Sequence, residues 1–317
     1  MSKIHIDELD IQQFEAGKVH KVWFDIISDS LGREICVPLL IGRSKVDGPV
    51  LGLTAAVHGN ELNGIPVIQR LFKELSDFRF KGTIIGVPVM NVPSFLRKRR
   101  RFVDDVDLNH IMPGKDNGNV SEVYSNRFVN KILTQFDYLI DLHTASAGRI
   151  NSYYIRADLN KKVTKDLAIL QNAQIIVNNP PRDGTLRGEA DSQGIPAITL
   201  EVGNPSTFQR GMIRSGITGL YNAMIYLKMI DEPIEEPDEK PVICKDSYWL
   251  YTDEGGLLNV YPEIATKVKQ GDKVATQFDI FGDKIKDYFA PEDGVIIGKS
   301  VSPVNQTGGR ILHLGIS

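Results

Sequence analysis

The chain has 317 residues, of which 42% are hydrophobic and 24% charged, with a formal net charge of −3 and a pI near 6.1. Those values describe an ordinary globular protein and exclude a disordered tail-like chain or a strongly basic nucleic-acid binder. No apolar run approaches the ~20 residues of a membrane span. The two cysteines, Cys36 and Cys244, lie too far apart in sequence to suggest a disulfide framework, which fits a reducing compartment.

The start, Met1 to Glu8, lacks the apolar stretch of a secretory signal, so a cytoplasmic location is expected, without membrane or nucleic-acid partners. Residues 1–45 read as an N-terminal extension built on a β-hairpin. Val19–Ser28 and Arg33–Ile41 are β-rich, and Asp29-Ser30-Leu31-Gly32 supplies the turn. From residue 46 to 230 short apolar runs alternate with helical periodicities. Val50–Val57, Thr83–Val89, Tyr138–Leu142, Gln174–Val177 and Ala197–Val202 read as buried strands, with helices near 63–76, 121–135, 161–171 and 206–230. Such alternation implies crossover connections and an α/β fold whose sheet is mainly parallel and covered by helices on both faces. Residues 231–241 hold three prolines and six carboxylates, a composition that cannot form core and marks a linker. Beyond it, residues 242–317 show short β-rich runs punctuated by Gly255-Gly256, Gly271-Asp272, Gly282-Asp283, Asp293-Gly294 and Gly308-Gly309. They predict a small all-β barrel or sandwich.

The chemistry concentrates in His58-Gly59-Asn60-Glu61 and in Asp141-Leu142-His143-Thr144. Two imidazoles and one carboxylate match a catalytic Zn²⁺ site, with three protein ligands and a fourth position open. His58 follows one expected strand, Glu61 opens the next helix, and His143 ends another strand. Glu201 falls at the end of the apolar run Ile195–Leu200, where an ionised carboxylate is costly without a cation or donor beside it. In open parallel sheets, sites form beyond the carboxyl ends of the strands. Three strands therefore deliver His58, Glu61, His143 and Glu201 to one edge.

The runs His58-Gly59-Asn60-Glu61-Leu62-Asn63-Gly64, Asp107-Leu108-Asn109, Asp141-Leu142-His143-Thr144 and Leu200-Glu201-Val202-Gly203 resemble the succinylglutamate desuccinylase/aspartoacylase family of the zinc carboxypeptidase clan. The resemblance covers about residues 48–230, and the β-rich tail matches the small C-terminal domain common in that family. It implies one Zn²⁺ per chain on His58, Glu61 and His143, and Glu201 as general base and acid. It also implies an arginine upstream of Asp107 that stabilises the oxyanion. Within the basic run Arg97-Lys98-Arg99-Arg100-Arg101 the nearest candidate is Arg101, with Arg100 next. The family follows the Asn of Asp-Leu-Asn with Arg, a bidentate grip for a substrate carboxylate. This chain has His110, so the resemblance does not extend to N-acetylaspartate or succinylglutamate as its substrate. Asn109, His110, Arg149 and Arg187 are the candidate substrate-binding residues.

Val268 to Val274 and Ala290 to Val295 resemble a biotinyl/lipoyl-type fold, but the stretch from Gly271 to Lys284 is too short for a lipoyl hairpin. Swinging-arm chemistry is not expected, and the tail is assigned to shaping the pocket or an oligomer contact. His5, His20 and His313 have no partner suggested by spacing and are assigned structural roles. The expected activity is zinc-dependent hydrolysis of the amide of a small N-acylated amino acid or amine. A metallocarboxypeptidase and a non-catalytic zinc-binding protein are the alternatives, and a homo-oligomer is left open.

Overall fold

The computed structural model describes residues 4–75, 79–237 and 239–317. Residues 1–3 of the expected extension, Ser76 of the expected helix 63–76, and Asp238 of the linker lie outside them. Eleven strands precede or immediately follow the linker: β1 (Ile4–Ile6), β2 (Lys18–Ser28), β3 (Glu34–Arg43), β4 (Val50–Ala55), β5 (Thr83–Val87), β6 (Tyr138–His143), β7 (Arg149–Asn151), β8 (Tyr153–Ala157), β9 (Ile175–Asn178), β10 (Ala197–Val202) and β11 (Val242–Cys244). All but β7 form one ten-stranded sheet in the order β1-β2-β3-β5-β4-β6-β10-β8-β9-β11. Its centre is parallel, β4 lying between β5 and β6, and β6 against β10. β8 then runs antiparallel to β10.

The helices are α1 (Gly64–Glu74), α2 (Val92–Leu96), α3 (Val120–Lys131), α4 (Lys162–Ile169), α5 (Leu186–Ser192) and α6 (Arg210–Tyr226). They divide between the two sheet faces as the crossovers require. On one face Val67, Ile68 and Leu71 of α1, Leu167 of α4 and Leu220 of α6 pack on Leu51, Leu53, Ile140, Leu142, Ile198 and Leu200. On the other, Tyr124, Phe128 and Val129 of α3 and Leu186 and Ala190 of α5 pack on Ile85, Val87, Leu139 and Ala197. Alternate strand residues thus feed opposite cores. Among the described residues no helix is long and apolar enough to cross a membrane, and Cys36 and Cys244 are free.

The expected boundaries near residues 45 and 241 are both crossed by hydrogen bonds. The hairpin β2–β3 forms as its turn residues imply, but β3 pairs with β5 and extends the main sheet. β11, just past the linker, pairs with β9. The linker itself is strapped down, because the buried Asn222 side chain accepts from the Glu235 amide and donates to its carbonyl, at 2.9 Å each.

The β-rich tail is as expected. β12 (Asp246–Tyr251), β14 (Lys267–Val268), β17 (Gly294–Ser300) and β19 (Arg310–Ile316) form one sheet. β13 (Gly256–Val260), β15 (Lys273–Phe278), β16 (Lys284–Phe289) and β18 (Val304–Asn305) form the other. Val274, Ile296, Ile311, Leu312 and Leu314 fill the space between them. β7, from the part of the chain before the linker, pairs antiparallel with β17 and joins the tail's sheet.

Candidate metal centre and active-site cavity

Strand β4 stops at Ala55, two residues short of the apolar run that marks it, because Ala56 takes a left-handed φ of 52°. The Asn91 side chain donates to the Val57 carbonyl at 3.0 Å and holds the reversed chain. The turn that follows lies directly on α2: a Cβ on Gly59 would meet the Ser94 carbonyl carbon at 2.1 Å, so only glycine fits. Gly64 brings the start of α1 equally close to β6, where a Cβ would meet that of Leu142 at 2.7 Å. Asn63 is buried and donates to the Val202 carbonyl at 2.7 Å, tying this turn to the end of β10.

The result is a compact buried cluster. Glu61 Oε1 lies 2.9 Å from His58 Nδ1, and Oε2 lies 3.0 Å from His143 Nδ1. The far nitrogens of both rings are held by carboxylates: His58 Nε2 donates to Asp107 at 3.0 Å and His143 Nε2 to Asp141 at 2.7 Å. Asp141 in turn accepts from Thr54 Oγ1 at 2.6 Å. With their protons on the aspartate side, both imidazoles would present Nδ1 lone pairs to a cation held beside the Glu61 carboxylate. His58 Nδ1 is buried and has no hydrogen-bond partner. Three ligand atoms of the right kinds, all within 4.8 Å of one another, and an orphaned ring nitrogen fit a divalent cation. Carboxylates behind each ring are the usual second layer of such a centre, orienting the ring and raising its basicity.

Strand alternation completes the site. On β6, Asp141 and His143 share a face. On β10 their register partners are Thr199 and Glu201, and on β8 the residues opposite these are Arg156 and Tyr154. The polar stripe runs along the α3/α5 face beyond the ends of those helices and opens into a cavity of about 800 Å³. Glu201 accepts from Asn151 Nδ2 at 3.2 Å and lies 3.7 Å from the Arg156 guanidinium. Burial pushes its carboxyl above the ordinary range, against the pull of Arg156 and the histidines, as suits a proton acceptor.

The basic run is resolved differently from expectation. Arg100, not Arg101, reaches the cluster: its guanidinium donates to Glu61 Oε1 at 2.9 Å, to Ser146 Oγ at 2.8 Å and to Asp107 Oδ2 at 3.1 Å. The Arg101 side chain is 56% exposed against 31% for Arg100, and donates to the Asp105 carbonyl at the cavity rim. Asn109 and Arg187, named as substrate-binding candidates, line the cavity but already have protein partners. Asn109 accepts from the Leu186 amide at 2.8 Å, and Arg187 donates to the Asn179 carbonyl at 2.7 Å. His110 is exposed at the rim, and Arg149 lines the wall.

Sequence reasoning gave no role to Asp107 or Asp141, although period-two alternation places Asp141 on the face of His143. It missed Asn151, Tyr154 and Arg156 because the residues of β7 and β8 were assigned to no element. It also left His313 structural, whereas Ser247, Trp249, Arg310 and His313 of the tail form one wall of the cavity. His313 stacks on Trp249, with ring centroids 5.1 Å apart and planes at 11°. Burial, helped by Arg156, Arg310 and Arg149, pushes its imidazole down to about 3.

The succinylglutamate desuccinylase/aspartoacylase catalytic-domain profile matches residues 47–227, more than half of the chain, and the protein belongs to that family. Over 279 residues it is 23% identical to an N-alpha-acetyl-L-2,4-diaminobutyric acid deacetylase of Halomonas elongata, covering 84% of this chain and 81% of that protein. Over 179 residues it is 28% identical to a succinylglutamate desuccinylase of Pseudomonas paraeruginosa, spanning 52% of this chain and about half (54%) of that protein's length. A crystal structure of a succinylglutamate desuccinylase/aspartoacylase from Rhodobacter sphaeroides superposes with a TM-score of 0.87 at 18% identity, over 100% of both chains. These relatives support an enzyme of the deacylase class.

Proposed function

We propose that the protein is a zinc-dependent hydrolase that cleaves the amide of a small N-acylated amino acid or amine. The observation that carries this reading is the convergence of His58 Nδ1, Glu61 and His143 Nδ1 on one buried point, with Glu201 in register beside His143. The family and the names of its relatives support it. Zinc bound at this point supplies a Lewis acid that polarises a carbonyl and brings the pKa of water to about 7.

The chain's own residues then divide the work. Glu201, buried and held by Asn151, takes the proton of the attacking water. It later returns a proton to the leaving amine nitrogen, releasing carboxylate and free amine. Arg100 lies against Glu61 and donates to the carbonyl oxygen as charge develops there. Asp107 and Asp141 keep the imidazole protons on the outer nitrogens. Asn109, His110, Arg149 and Arg187 orient the rest of the substrate from the cavity walls.

The test is a hydrolysis screen over N-acetyl and N-succinyl amino acids, with metal analysis of the same sample. Glu201→Gln is expected to keep its metal and lose turnover, and His143→Ala to lose the metal. A turning-over Glu201→Gln variant removes Glu201 from the mechanism, and a metal-replete His143→Ala variant removes the ligand assignment.

A further inference from the structure

A second cluster of metal-ligating side chains stands at the β1 edge of the main sheet, and none of its members lines the cavity. β1 runs parallel to β2 with His5 opposite Trp23, and β2 runs antiparallel to β3 with Asp25 opposite Cys36. Trp23 and Asp25 are two residues apart, so alternation puts His5, Asp25 and Cys36 on one face of three neighbouring strands. The residues beside them, Phe24 and Val37, point the other way into the core. Spacing in the sequence gives His5 no partner; strand register gives it two.

The three ligand atoms converge. His5 Nδ1 lies 2.9 Å from Asp25 Oδ1 and 3.9 Å from Cys36 Sγ, and all three lie within 4.8 Å of one another. Ligand atoms on a tetrahedral zinc are about 3.4–3.6 Å apart, so the observed spacings fall about 0.5 Å to either side. The pattern is not that of a catalytic thiol, in which the carboxylate takes one ring nitrogen and the nucleophile the other. Here both face Nδ1. The imidazole is half exposed, which leaves a fourth position to water.

The surroundings favour a cation. The cleft that His5 and Asp25 line also holds Asp7, Glu34 and Asp116, so four carboxylates stand against Arg127 and Lys131. Those two cations are engaged with backbone carbonyls, Arg127 with that of Ile26 and Lys131 with that of Asp7. A thiolate ligand selects zinc and softer cations over magnesium or calcium. The thiol proton, which burial and Asp25 push up to about 12, is lost on coordination.

We infer that His5, Asp25 and Cys36 form a second metal site, for zinc or another thiophilic divalent cation, that clamps β1 to the β2–β3 hairpin. β1 is three residues long, is the outermost strand of its sheet and pairs with β2. An ion held by both His5 and Cys36 reaches across β2 and ties β1 to β3 as well. The inference does not depend on the reading of the cavity.

The experiment loads the full chain with Co²⁺, its thiols kept reduced, and reads metal content together with thiolate-to-cobalt charge-transfer absorption in the near ultraviolet. The His58, Glu61 and His143 cluster holds no sulfur, so the band reports a cysteine ligand. Wild type is expected to bind two equivalents and to show the band. Cys36→Ser and His5→Gln are each expected to lose the band and one equivalent, whereas His143→Ala keeps the band. Zinc is expected to slow amide hydrogen exchange across Ile4–Ile6 in wild type and not in Cys36→Ser. No band in wild type, or an undiminished band in His5→Gln, overturns the site. A band that survives Cys36→Ser belongs to Cys244 and overturns it too, and unchanged exchange at β1 removes the clamp. One equivalent with the band keeps this site and counts against the ligands at the cavity instead.

Discussion

Arg100 and Arg101 are chemically identical neighbours with opposite surroundings. Ser94 Oγ donates to the Arg101 carbonyl at 2.7 Å and Arg97 donates to the Phe102 carbonyl at 3.2 Å. These bonds pin a loop whose Lys98 and Asp105 both take left-handed φ values, 54° and 63°. A basic run carries no periodicity from which that path follows, so composition narrowed the choice to adjacent residues and no further. Removing one preorganised oxyanion donor costs roughly 10²–10³ in kcat, and that loss is expected for Arg100→Ala. Arg101→Ala is expected to lose much less. Steady-state kinetics of the two variants decide the order, and a larger loss in Arg101→Ala would restore Arg101 to the site.

His313 makes a second prediction at this scale. Its folded pKa is about 3 against an ordinary 6.5, so between those values the unfolded chain binds more protons than the folded one. Stability therefore rises with pH across that window and is lost as pH falls below 6.5. At pH 5 the loss from this one ring is about 2 kcal/mol. In His313→Gln, chemical denaturation at pH 7 and pH 5 should show the acid-induced loss shrinking by about that amount. An undiminished loss places the acid sensitivity elsewhere.

At the scale of elements, the strand that carries Glu201 shows what the sequence could and could not tell. Ala197–Val202 reads as one apolar run, yet Thr199 and Glu201 fall on the same face by alternation. Register with Asp141 and His143 turns them toward the His58, Glu61 and His143 cluster. The cluster proposed to hold the metal was legible because His58, Glu61 and His143 fall at element ends that hydrophobic periodicity locates well. β7 and β8 were not, because a three-residue strand offers too few positions for a period and Arg149 to Ala157 mixes polar and aromatic residues.

The pairing of β7 with β17 also has a steric requirement. Gly298 faces Asn151, and a Cβ there would meet Asn151 Oδ1 at 2.3 Å and the Ile150 carbonyl at 2.8 Å. Gly298→Ala is expected to displace Asn151 and with it the carboxylate it holds. Kcat should fall on the order of 10–100-fold while zinc content is retained. Wild-type kinetics in that variant would show that Asn151 does not set the position of Glu201.

For the whole molecule, the fold class followed from the sequence because strands and helices alternate over most of residues 50 to 230, the pair α2-α3 and the run β6-β7-β8 being the exceptions. The acidic, proline-rich stretch and the glycine-punctuated tail likewise announced a second unit. Domain independence did not follow. β3 extends the main sheet, β11 returns to it, and β7 leaves it for the tail. Each of these is a pairing between residues far apart in sequence, set by backbone hydrogen bonds that carry no residue signature. The tail was expected to shape the pocket or an oligomer contact, but which residues do so was hidden for the same reason: Trp249, Arg310 and His313 belong to ordinary β-strands until the seam brings them to the cavity that Glu201 also lines.

That seam also sets an order in time. As the chain is synthesised, His58, Glu61, His143 and Glu201 emerge well before Gly298, Arg310 and His313, and N-terminal parts generally fold first. A nascent chain therefore holds the His58, Glu61 and His143 cluster and the strand of Glu201 long before it owns the tail residues that wall the cavity. The cavity is the last part of the site to be completed.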